Sequence, residues 1–97
     1  MAEGFDVVVL GAGESGIGAA LLAKKNELKV FVSEYGKIKI AIVNELLTNT
    51  IPFEEGGHNI EIIENTDLIV KSPGIPDTAP VIKTLAEKGI PIISEIE

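Results

Sequence analysis

Cysteine is absent from this 97-residue sequence, and so is arginine, since all eight basic residues are lysines. Without cysteine there is neither a disulfide nor thiolate chemistry, which agrees with a cytoplasmic location. Without arginine there is no bidentate phosphate clamp and no basic stripe to follow a nucleic-acid backbone. Eight lysines against fifteen acidic residues leave a net charge of -7, which argues further against nucleic acid as a partner. Any anionic ligand would approach against this field. Main-chain N–H groups, a helix N-terminus and a few lysines would have to hold it.

Long apolar runs are missing too. No stretch approaches the roughly 18 apolar residues of a membrane span, and the start lacks a basic region followed by an apolar one and a cleavage site. Neither a membrane partner nor export is expected. What remains, 45% hydrophobic with mean hydropathy +0.33, suffices for one domain with one core.

Phe5 to Leu10 is apolar except for Asp6 and short enough for a strand buried on both faces. Glycines follow at once, and Ile17, Ala20 and Leu21 then recur at helical spacing from Ser15 to Lys25, with Asn26 as the stop. Lys29 to Val32 reads as a second strand, and Ile42, Val43, Leu46 and Leu47 form one stripe of a helix over about 37–49. Ile51-Pro52-Phe53 fits a short edge strand, the segment 54–58 a loop, and 59–65 a short helix or turn. Asp67 to Lys71 is another buried-type strand. Val81, Ile82, Leu85 and Ala86 then mark a helix with Pro80 in its first turn, Asp77 or Thr78 as cap and Gly89 past its end. Ile90 to Ile93 closes the set as a strand. Alternation of this kind predicts an α/β fold with a parallel sheet covered by helices on both faces.

Gly11, Gly13 and Gly16 satisfy G-x-G-x-x-G between a strand and a helix, the context in which the motif binds phosphate. The first glycine permits the turn, the second lets backbone approach a phosphate, and the third lets helix and strand pack closely. Ser15 can donate its hydroxyl or cap the helix. A tight turn without a ligand satisfies the same pattern. Glu34 follows the second strand eighteen positions after Gly16, near the ~20-residue spacing at which dinucleotide folds place an acid on ribose hydroxyls. Tyr35 beside it is placed to lie against a base or simply to pack.

Ser72-Pro73-Gly74 breaks the chain after the fourth strand with a fixed φ, a small residue and a hydroxyl. If the strand order is 3-2-1-4-5, this turn leaves the sheet beside the glycine loop, at the point where order reverses and such folds bind ligands. His58, the one histidine, stands alone in sequence, so no metal site is expected. No G-x-x-x-x-G-K-[ST] loop occurs, and no residue is singled out as catalytic.

Taken in order, the segment Val7 to Gly16, Glu34, the segment Asp67 to Pro76 and Ile92-Ile93-Ser94-Glu95-Ile96-Glu97 resemble the N-terminal domain of the Mur ligases, the ATP-dependent amide-bond ligases of peptidoglycan precursor synthesis. The Ser-Pro-Gly-Ile form is most similar to the D-glutamate-adding branch. The resemblance spans essentially the whole sequence and implies a Rossmann-like three-layer domain with about five strands in the order 3-2-1-4-5. It also implies that the domain binds the UDP part of UDP-N-acetylmuramoyl-L-alanine and no nicotinamide. On it, Gly13, Glu14, Ser15 and Gly16 lie along the diphosphate, Glu34 and Tyr35 meet the uridine, and Ser72, Pro73 and Gly74 complete the crevice. Glu14 is expected to point to solvent or toward a lysine. Some relatives carry an arginine after the strand-2 acid, where this chain has Tyr35-Gly36-Lys37, so a charge contact from this segment would fall to Lys37.

In this family ATP and magnesium belong to a central domain and D-glutamate to a C-terminal one, so the chain reads as a single excised domain, catalytically silent alone and partnered by those two. Two other readings stay open: another Mur ligase, or a regulatory NAD- or ATP-sensing module of the kind attached to ion channels, which shares the glycine loop and the acid after strand 2. A domain of this fold that binds no ligand and serves interaction alone is a third.

Overall fold

The computed structural model describes residues 4–94 and contains β1 (Phe5–Leu10), α1 (Glu14–Lys25), β2 (Val30–Glu34), α2 (Ile40–Thr48), β3 (Phe53–Glu55), α3 (Ile60–Ile63), β4 (Thr66–Lys71), α4 (Pro80–Glu87) and β5 (Ile92–Ser94). The strands form one parallel sheet in the order β3-β2-β1-β4-β5. Expected order and observed order agree. Glu95, Ile96 and Glu97 of the motif set lie outside the described residues.

Side chains alternate across a strand, so the central strand feeds two cores. Val7 and Val9, with Val30 and Val32 of β2, pack against Ala20 and Ala23 of α1 and Leu46 of α2. Val8 and Leu10, with Phe31 and Ile69, meet Ile63 of α3 and Ile82 and Leu85 of α4. Leu46 and Leu85 are fully buried, each contributing about 2–3 kcal/mol by removal from water. Helices thus cover both faces, which is why the strands carry so few polar residues.

Several boundaries differ from the sequence expectation, for identifiable reasons. The edge strand is Phe53–Glu55 rather than 51–53, and the last strand is Ile92–Ser94 rather than 90–93. In both cases a proline stands just before the strand, unable to donate to a ladder. Its carbonyl still accepts: Val32 N–H donates to Pro52 O at 3.1 Å and Ile69 N–H to Pro91 O at 2.9 Å. β2 runs on through Ser33 and Glu34 because β3 pairs with those positions. α2 begins only at Ile40, with Lys39 as N-cap. Neither Asp77 nor Thr78 caps α4; Ala79 is the N-cap, with Pro80 first in the helix. Asp77 is drawn instead to Lys71, 3.4 Å away. Nor does Ser15 cap α1, whose N-cap is Gly13.

Register decides where the site lies. Leu10 is paired with Ser33 on one side and with Lys71 on the other. The loops after β1, β2 and β4 therefore leave the sheet at the same end, side by side.

A cleft between the glycine loop and the Ser-Pro-Gly turn

Gly11 turns the chain with φ +100°, a conformation that favours glycine. A Cβ built there would stand 2.8 Å from Ser72 Cβ, so the two loops touch. The Ser72 N–H also donates to Leu10 O at 2.9 Å. Gly13 faces open space, with nothing within 4 Å of where a methyl group would stand, whereas a Cβ on buried Gly16 would collide with the Gly11 carbonyl oxygen. The three glycines thus have three causes: conformation, room and packing.

The first helical bond of α1 runs from Ile17 N–H to Gly13 O. Among the described residues the N–H groups of Glu14, Ser15 and Gly16 have no acceptor, as expected at the start of a helix without a side-chain cap. The Glu14 side chain is exposed, does not line the cleft and makes no ion pair among the described residues.

Opposite, Ser72 Oγ accepts from Gly74 N–H at 3.3 Å and Ser72 O from Ile75 N–H at 3.0 Å, folding the turn back on itself. Beneath it lies Lys71, only 6% exposed, whose Nζ donates to Ile75 O at 2.8 Å. The sequence pattern places Lys71 in the strand and gives it no other task. A lysine ending an apolar run carries no signal that it will fold under the following loop.

Glu34 ties the third side together. Its Oε1 accepts from Ala12 N–H inside the glycine loop at 2.7 Å, and its Oε2 accepts from Gly36 N–H at 2.9 Å. Exposed Tyr35 stands with its ring centroid 6.0 Å from that of His58. His58 Nδ1 lies 2.7 Å from the Ser33 hydroxyl, which also donates to Glu54 Oε2 at 2.7 Å. Burial lowers the His58 pKa below its ordinary value of 6.5, against the opposing effect of the Glu54 and Glu34 carboxylates.

Between these walls lies a cleft of about 840 Å³, within the range of small-molecule sites. Gly11, Gly13, Glu34, Tyr35, Ser72 and Gly74 line it, as does His58. Ile75, Ala79 and Val81 supply an apolar wall. Of the residues singled out from sequence, Ser15, Gly16 and Pro73 belong to the lining loops without lining the cleft themselves, and exposed Lys37 stands off it. His58 was the residue the sequence hid. Its partner Ser33 is twenty-five positions away, and only the adjacency of β2 and β3 brings them together. No group of three or more His, Asp or Glu suited to a metal occurs among the described residues.

The family model of the Mur ligase MurD-like N-terminal domain matches residues 5–94. The chain belongs to that family. It is 59% identical over 93 residues to UDP-N-acetylmuramoylalanine--D-glutamate ligase of Porphyromonas gingivalis, covering 96% of this chain and 21% of the relative. This MurD-like chain thus spans about a fifth of the length of the curated relatives it matches. Among solved structures, a pseudomurein peptide ligase type C from Methanothermus fervidus superposes with TM-score 0.81 at 23% identity, over 93% of this chain and 19% of that one. The TrkA-N domain of inner membrane protein ybaL from Escherichia coli shares the fold at TM-score 0.67 and 19% identity, over 92% and 70%. At such identities the likeness is one of fold alone.

Proposed function

We propose that this chain recognises the UDP moiety of UDP-N-acetylmuramoyl-L-alanine for an ATP-dependent ligase that adds D-glutamate to it. The observation that carries the reading is the contact between the glycine loop and the Ser72 turn, which sets the unengaged N–H groups of a helix N-terminus beside a cleft lined by Gly13 and Ser72. In a chain of net charge -7 without arginine, such groups are the available device for a diphosphate. The N–H groups of the segment 13–16 would face the diphosphate, with the Ser72 hydroxyl and Gly74 opposite. Glu34, whose two oxygens keep further lone pairs, would accept from ribose hydroxyls, and Tyr35 would lie against the base. Lys37 is given no role.

In the whole ligase, ATP would transfer its γ-phosphoryl group to the L-alanine carboxylate, giving an acyl phosphate and ADP. Attack by the D-glutamate amine would then form the amide and release phosphate. ATP, magnesium and D-glutamate would be handled outside this chain, whose part is to position the nucleotide end of the substrate. The family match disfavours a nucleotide-sensing module, since its likeness to the TrkA-N domain extends only to fold. Calorimetric titration tests the choice. UDP-N-acetylmuramoyl-L-alanine should bind and NAD should not; NAD binding with no response to the nucleotide sugar would reverse the assignment.

A further inference from the structure

His58 lines the cleft and has no part in the contacts proposed for the diphosphate and ribose. The loops after β2 and β3 are joined by main-chain bonds, Gly56 N–H to Gly36 O at 2.9 Å and Gly57 N–H to Glu34 O at 3.4 Å. They hold the imidazole beside Tyr35 and over buried Ser33. The Ser33 hydroxyl has one hydrogen, and the Glu54 carboxylate offers only lone pairs, so Ser33 donates to Glu54. Its oxygen must then accept from His58, which places the imidazole proton on Nδ1. Glu54 is itself fixed by Asn59 N–H at 2.8 Å. Nε2 makes no hydrogen bond among the described residues, on a side chain that lines the cleft.

Strand order indicates which part of a ligand this nitrogen meets. The phosphate-binding loop leaves β1, the Glu34 carboxylate ends β2, and His58 follows β3 at the sheet edge. From β1 to β3 is two strand spacings, roughly 10 Å, comparable to the reach of a nucleotide from its phosphates past its ribose to its base. The exposed Tyr35 ring beside His58 suits a flat ring better than a sugar, and leaves the in-plane lone pair of Nε2 to meet that ring at its edge.

We infer that His58 reads the base of the bound nucleotide, its Nε2 accepting a hydrogen bond from the N3–H of uracil while Ser33 and Glu54 hold its Nδ1–H. This deepens the proposed function and rests on it. The titratable groups around the imidazole are Glu34 and Tyr35 from the end of β2 and Glu54 from β3. Burial outweighs the two carboxylates and keeps the ring neutral near pH 7, so Nε2 is an acceptor there and becomes a donor only on acidification.

The test compares UDP with N3-methyl-UDP, which lacks the donor, by amide chemical-shift titration of the wild-type chain and His58→Phe at neutral pH. Wild type should bind UDP roughly fivefold more tightly than the methylated nucleotide, as one neutral hydrogen bond allows, and His58→Phe should bind the two within about twofold. Ser33→Ala, which keeps the imidazole but frees Nδ1, should reduce the discrimination and gives a second route if His58→Phe disturbs the loop. Ring ¹⁵N shifts should report a protonated Nδ1 and an unprotonated Nε2, and the preference for UDP should vanish in step with their titration. An equal preference in wild type and both variants, or an Nε2–H tautomer, overturns the inference and leaves the cleft assignment intact. Failure of wild type to bind UDP at all overturns the functional reading and this one with it.

Discussion

Gly16 shows how much of the site rests on one absent methyl group. Its Cβ would overlap the Gly11 carbonyl oxygen and lie 3.0 Å from the carbonyl carbon, both backbone atoms that cannot step aside cheaply. Gly16→Ala should therefore cost about 2–3 kcal/mol, read as a lower urea midpoint, by forcing α1 away from β1. An alanine at Gly18, where a Cβ would meet nothing, is the control and should be neutral or slightly stabilising. At this scale the sequence was informative wherever a residue's reason is local. The glycines, Glu34 and Ser72 are marked by their spacing from strands. His58 and Lys71 were silent because their partners, Ser33 and the Ile75 carbonyl, depend on strand adjacency and on how a loop doubles back.

Between residue and molecule, the Ser72-Pro73-Gly74-Ile75 turn is an element held from below. Lys71 Nζ binds the Ile75 carbonyl and approaches Asp77, while Ser72 O holds Ile75 N–H. Replacing Lys71 by Met keeps the buried stem but leaves that carbonyl without its donor, a loss of about 1–3 kcal/mol. Faster amide exchange at Gly74 and Ile75, with α1 amides unchanged, is the expected signature. Uniform loss of protection would instead mark a general fault in the core. Helix and strand identities were readable from periodicity, because buried parallel strands and amphipathic helices leave opposite patterns. Their ends were less so. Pro52 and Pro91 delay two strands by withholding N–H groups, and Asp77 forgoes a capping role for the lysine that ends the preceding strand.

Across the whole molecule, the C-terminal end of the sheet gathers three loops because Leu10 is in register with both Ser33 and Lys71. The chemistry around the cleft follows from that registry: the glycine loop with the start of α1 beside it, a carboxylate and an imidazole on the β2–β3 side, a hydroxyl on the β4 side. Composition bears on how this cleft would take an anion, since a chain of net charge -7 with no arginine has few ways to hold one except by its backbone. We propose that the glycine loop and the Ser72 turn embrace one uridine diphosphate. Amide chemical shifts recorded during titration with UDP test it most directly. Gly13, Ser15 and Gly74 should move together along one saturation curve, while the amides at the far ends of the strands stay in place. Perturbation of only one of the two loops, or of neither, would contradict it.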